Sequence, residues 1–82
     1  MSRFPEHIVV DKEHFVTYLD DTGLNWIRTF LYVPEEWQVN VWRNARLIDV
    51  KKYPTKEEAE KEHWRAVECE LLRQTEQQNG GS

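Results

Sequence analysis

The chain has one cysteine, three glycines, three prolines and no long apolar run, and each scarcity excludes something. Cys69 has no second cysteine to pair with, so a disulfide scaffold is ruled out. A single unpaired thiol agrees with a reducing compartment, and a cytoplasmic location is the expectation. The longest apolar stretch, Phe30-Leu31-Tyr32-Val33, is four residues, against the roughly eighteen that a bilayer-crossing helix needs. No basic segment leading into an apolar one opens the chain, so no export signal is read. A glycine-rich phosphate loop, C-x-x-C, H-E-x-x-H and G-x-S-x-G are all missing. The expectation is a chain with no catalytic residue, no metal and no small-molecule cofactor. Positive charge is also in short supply. Eleven basic residues stand against fifteen acidic ones, a formal net charge of −4, which disfavours a dedicated nucleic-acid binder.

Aromatic residues are plentiful: four Trp, three Tyr and three Phe in 82 residues. They supply material for one modest core and argue against disorder. A chain of this length buries about two-thirds of its surface and supports a single domain. That domain is read as residues 1–76, followed by a flexible polar tail at 77–82. Charge is unevenly spread. The first 23 residues set Arg3 and Lys12 against Glu6, Asp11, Glu13, Asp20 and Asp21, and residues 54–82 are similarly acidic. Between them, Arg28, Arg43, Arg46, Lys51 and Lys52 outnumber Glu35, Glu36 and Asp49. A mildly basic middle thus lies between two acidic ends.

Turn chemistry divides the first two-thirds of the chain. Asp11-Lys12-Glu13, Asp20-Asp21-Thr22-Gly23 and Pro34-Glu35-Glu36 separate runs rich in Val, Ile, Thr, Phe, Tyr and Trp. The pattern predicts strands near 7–10, 14–19, 25–33, 37–43 and 47–53, with Pro34 setting up a type I turn. Links this short favour an antiparallel meander, since parallel neighbours need crossovers of about a dozen residues. At Pro54 the period changes. Thr55-Lys56-Glu57-Glu58 has the spacing of a capping box, and Glu57, Glu58 and Glu60 lie in the first turns, where they suit the helix dipole. A helix is predicted from 56 to about 76. Its stripe is Trp64, Val67 and Leu71, with Ala59, His63 and Ala66 alongside. The fold class is α+β: two layers, an antiparallel β-meander of four or five strands, and one C-terminal helix packed on one face.

Alternation along the strands then assigns faces. Ile27, Leu31, Val33, Val39, Val41, Ile48 and Val50 form an aliphatic face that suits the helix. The opposite face carries Trp26, Arg28, Phe30, Tyr32 and Trp42, together with Lys51 and Tyr53. A single helix cannot cover both faces. Trp and Tyr beside Arg are the residue types that anchor protein interfaces, and unpaired bases stack on the same types. The candidate partner-binding residues are therefore Trp26, Arg28, Phe30, Tyr32, Trp42, Arg43 and Lys51, the last two as rim charges that steer an acidic partner. Two other outcomes compete with this one. Phe4 and Ile8 of the N-terminal segment would cover the face from within, or a one-residue slip of register would exchange the two faces.

Other chemistry-bearing residues read more simply. His7, His14 and His63 match no metal-ligand spacing. His63 is expected to pack at the sheet edge. Cys69 lies between Glu68 and Glu70, with no electropositive setting to activate it. Asp20 and Asp21 precede Thr-Gly and are ordinary turn residues.

Two resemblances bear on these expectations. From residue 25 on, the order strand–strand–strand–helix is similar to the second half of a double-stranded RNA-binding domain. That family opens its last helix with a lysine cluster, where this chain has Thr55-Lys56-Glu57-Glu58-Ala59-Glu60-Lys61, so the resemblance extends to shape and not to RNA binding. The segment Tyr53-Pro54-Thr55-Lys56-Glu57-Glu58-Ala59-Glu60-Lys61-Glu62-His63 resembles the strand-to-helix junction of small phage and prophage accessory proteins of unassigned function. It covers about eleven of the 82 residues. It implies a compact protein that binds and blocks a host component, and it implies no catalytic residue. The combined expectation is a non-enzymatic, protein-binding or inhibitory accessory protein with an acidic host component or a second copy as partner. Single-stranded nucleic-acid binding by base stacking is the alternative, and no membrane is involved.

Overall fold

The computed structural model describes residues 4–80, the side chains of 76–80 excepted. Five strands follow in chain order: β1 (Glu6–Asp11), β2 (His14–Tyr18), β3 (Trp26–Val33), β4 (Glu36–Arg43) and β5 (Arg46–Tyr53). A single helix, α1 (Lys56–Gly80), comes after them. The strands form one antiparallel sheet in the order β1-β2-β3-β4-β5, and α1 lies on one face of it. This is the two-layer α+β meander predicted from the short links. The helix continues to Gly80, past the predicted end near 76 and into the stretch read as a tail, while residues 81–82 fall outside the described residues.

The links show how each reversal is made. Glu13 N donates to Asp11 Oδ1 at 2.7 Å, and Thr22 N donates to Asp20 Oδ1 at 3.0 Å, both local Asx bonding. Partial burial pushes the Asp20 carboxyl up. The hydrogen bonds from Thr22, Asn25 and Gln74 outweigh that effect and hold it below the usual carboxylate range. At Pro34-Glu35, Glu35 has φ of 67°, which excludes the predicted type I turn, whose third residue sits near −90°. Between β4 and β5, Asn44 and Ala45 both take positive φ, 53° and 64°, as in a type I′ hairpin turn. Ala is poorly suited to the second position. Ala45→Gly should therefore raise stability by about 0.5–1 kcal/mol, read as a higher urea midpoint at unchanged m-value.

The core lies between sheet and helix. Phe15, Ile27, Trp37, Val39 and Val41 from three central strands, with Leu19 just past the end of β2, meet Ala59 and Val67 of α1. Thr55 caps the helix, its Oγ1 accepting from Glu58 N at 3.2 Å. The buried stripe differs from the predicted one. Ala59, His63 and Val67 (i, i+4, i+8) face the sheet, and Trp64 is 42% exposed beside β1, its ring 4.6 Å from that of His7.

The reason for this rotation is polar. His63 is fully buried over β2 and β3, not at the sheet edge. Its Nε2 is hydrogen-bonded to Thr17 Oγ1 at 2.7 Å and its Nδ1 to Thr29 Oγ1 at 2.8 Å. Thr17 is bonded in turn to His7 Nδ1 at 2.8 Å. A neutral imidazole has one donor and one acceptor, and two threonine hydroxyls satisfy both. These bonds set which side of α1 looks inward.

Candidate functional site: the open face of the sheet

The face opposite α1 is built in three rungs set by the strand register. One rung is Glu6–Tyr18–Trp26–Trp42–Leu47, the next Ile8–Val16–Arg28–Asn40–Val50, and the third runs His14–Phe30–Gln38–Lys52. Rings fill the outer rungs. Trp26 and Trp42 stack with centroids 5.0 Å apart and planes within 12°, with Tyr18 tilted at 6.2 Å. On the other side, Phe30 stands edge-on between His14 (6.2 Å) and Tyr32 (6.4 Å). On the middle rung Val16 and Asn40 are buried although no helix lies over them, and Ile8 and Val50 are exposed at its two ends. The rings thus flank the centre of the face on two sides.

Arg28 lies between the rings, on the middle strand and the middle rung. Its Nε donates to His14 Nε2 at 3.0 Å, so His14 is held as an acceptor. Its guanidinium carbon sits 4.4 Å above the centroid of Phe30, a cation–π arrangement that fixes the side chain across the face.

Five of the seven residues singled out from sequence thus share this face: Trp26, Arg28, Phe30, Tyr32 and Trp42. Arg43 and Lys51 do not. Arg43 has the same parity as Val39 and Val41 and reaches α1, where Nε and Nη2 meet the two Glu70 oxygens at 3.0 and 2.9 Å. Lys51 was expected on the aromatic face. It instead joins Glu62 of α1 at 3.1 Å, with Asp49 3.9 Å away. The cause is a β-bulge. Val41 pairs with Asp49 but Trp42 pairs with Leu47, so Ile48 is an extra residue and every side chain after it changes face. Asp49, Lys51 and Tyr53 turn toward the helix, and Val50 and Lys52 turn away. Glu62 and Glu70 hold the Lys51 and Arg43 cations above their ordinary pKa values by hydrogen bond and charge, against a smaller opposing effect of burial. Both pairs line a groove of about 470 Å³ between α1 and β5.

No protein-family model, curated protein or solved structure matches this chain.

The face also contains residues that the sequence reading did not single out: Tyr18 and His14 of β2, Asn40 and Gln38 of β4, and Lys52 of β5. The alternation His14, Val16, Tyr18 against Phe15, Thr17, Leu19 was a signal for the first pair. Ile8 does not fold over the face. It lies at the edge, 41% exposed, because β1 pairs along β2 and widens the sheet. Val33, expected in the core, is exposed because the β3–β4 register shifts between Leu31 and Val33.

Proposed function

We propose that this chain is a non-enzymatic binding protein that engages a protein partner through the open face of its sheet, acting as an accessory factor that occludes the partner's surface. The observation that carries this reading is the double row of rings around Arg28, which no element of the described chain covers. Tyr32 is 60% exposed, and Ile8, Leu47 and Val50 extend the apolar area to both edges. Patches of this kind on a small domain mark interaction sites. Strand spacing and rise give a face of roughly 20 by 25 Å, about 500 Å² in projection, which suits an interface smaller than the ~800 Å² per partner of standard size.

Charge favours protein over single-stranded nucleic acid. With Arg43 and Lys51 committed to carboxylates on the other side, the cations named on the ring face are Arg28 and Lys52. Two cations neutralise too few phosphates to overcome a net charge of −4. Affinity capture with mass spectrometry tests the proposal. The same partner should be recovered with wild type and with Leu72→Ala on the exposed side of the helix, and lost with Trp42→Ala and Tyr32→Ser. Tyr32→Ser removes an exposed ring and leaves the fold intact, so loss with that variant is not an unfolding effect. Recovery unchanged across all four proteins would refute the open face as the binding surface.

A further inference from the structure

We infer that the segment covering the open face presents a carboxylate to Arg28, a step that rests on the binding role proposed for that face. The contacts that position Arg28 are an imidazole nitrogen and an aromatic ring. His14 accepts from Nε, and Phe30 lies under the guanidinium. The ion pairs among the described residues join Arg43 to Glu70 and Lys51 to Glu62 and Asp49, and none of them includes Arg28. A guanidinium kept in one orientation by these two contacts, with no ion pair to it among the described residues, is pre-organised for a bidentate acceptor.

Covering it decides the partner's chemistry. A partner that laid apolar surface over Arg28 would strip water from a cation and return nothing, a penalty of several kcal/mol. A second copy fares no better. A two-fold contact centred on this rung sets Arg28 against its own equivalent, because the residue sits on the middle strand and the middle rung of the face. A carboxylate from a different chain removes the penalty.

Two further atoms point to the same occupant. Asn40 Oδ1 and Trp42 Nε1 are buried without a hydrogen-bond partner. They lie two residues apart on β4, on the open face and beside Arg28. One is an acceptor without a donor, the other a donor without an acceptor. The N–H and C=O of one extended peptide unit are their complement, reached when the Trp26–Trp42 stack shifts to admit the segment. Buried orphans of this kind are costly in the free protein, and binding relieves the cost.

The test is selection of randomised heptapeptides on the immobilised full chain, followed by fluorescence titration of the best binder and its Glu→Gln or Asp→Asn counterpart. Selection should enrich an acidic residue at one position. The amide counterpart should bind wild type about tenfold more weakly or worse. Arg28→Gln should bind both peptides alike, and Tyr32→Ser and Trp42→Ala should weaken both. Peptides that need Tyr32 and Trp42 but show no acidic preference would overturn the carboxylate and leave the face as the binding surface. Peptides indifferent to Tyr32→Ser and Trp42→Ala would overturn both, as would a library that yields no binder. A concentration-dependent dimer in sedimentation, abolished by Tyr32→Ser, would make the second copy the occupant and overturn the inference.

Discussion

Lowering the pH from 7 to 5 is expected to remove about 2 kcal/mol of folding stability, most of it through His63. Burial, with a smaller contribution from the neighbouring charge of His7, lowers the His63 pKa from 6.5 to about 3. In the unfolded chain the imidazole takes up a proton near pH 6.5. In the folded domain it stays neutral far below that, because the site offers no solvation for a cation. The stabilisation is therefore fully present above pH ~6.5 and is lost as the pH falls toward the folded-state value. By pH 3 the loss is on the order of 4–5 kcal/mol, a large part of the roughly 4–12 kcal/mol expected of a domain this size. Urea titrations followed by far-UV circular dichroism at pH 7, 6 and 5 would show it as a falling midpoint. Protonating Asp20, whose carboxyl lies below its ordinary range, adds to acid lability only at lower pH, so the interval from 6.5 to 5 isolates the histidine. The control is the triple variant His63→Leu, Thr17→Val, Thr29→Val, which removes the titrating group and the hydroxyls that would be orphaned with it. Its midpoint should hold steady over the same interval. A wild type as stable at pH 5 as at pH 7 would contradict the burial of a neutral imidazole.

His63 also marks where the sequence was legible and where it was not. Helix and strands were readable because each carries its own period, and the meander followed from links too short for crossovers. The rotation of α1 was not, because Trp64 outweighs His63 on any hydrophobic count. Which of the two faces inward depends on Thr17 and Thr29, hydroxyls on strands far away in sequence. For the site, alternation on β3 and β4 was sufficient to bring Trp26, Arg28, Phe30 and Trp42 together. It failed on β5, where Ile48 is a residue too many. Nothing in Arg46-Leu47-Ile48-Asp49-Val50-Lys51-Lys52-Tyr53 announces a bulge, and strict alternation favours the wrong face because Ile48 and Val50 share a parity. The bulge becomes intelligible through the helix. Flipping the strand gives Glu62 a lysine, whereas the unbulged register would set Val50 beside it.

The bulge in β5 separates two aliphatic residues that sequence alone treats alike. Ile27→Ala should cost about 3–4 kcal/mol, since Ile27 is fully buried and its loss leaves a cavity among Leu19, Val41 and the helix. Val50→Ala should cost no more than about 0.5 kcal/mol, because Val50 sits 41% exposed on the open face, paired with Asn40. Had β5 kept its register, Val50 would pack under α1, and its truncation would be felt as a core deletion of about 1–2 kcal/mol. Urea midpoints of the two variants measure the difference directly, and Ile27→Val, at about 1 kcal/mol, keeps the core measurement within reach if the alanine variant unfolds. A second consequence concerns the sheet edge. Asp49 and Lys51 point inward from an edge strand, and a bulge precedes them, both devices that discourage strand addition. Deleting Ile48 removes the unpaired residue and leaves the pairs Trp42–Leu47 and Val41–Asp49 adjacent, so Asp49 and Lys51 stay on the helix side and Val50 stays on the open face. The Lys51–Glu62 pair should therefore survive the deletion, and the ring face should gain no cation. If Ile48 is the extra residue of the bulge, its deletion should leave binding of an acidic heptapeptide at low salt unchanged, and a tighter complex would mean that Lys51 had crossed to the ring face and would contradict this register.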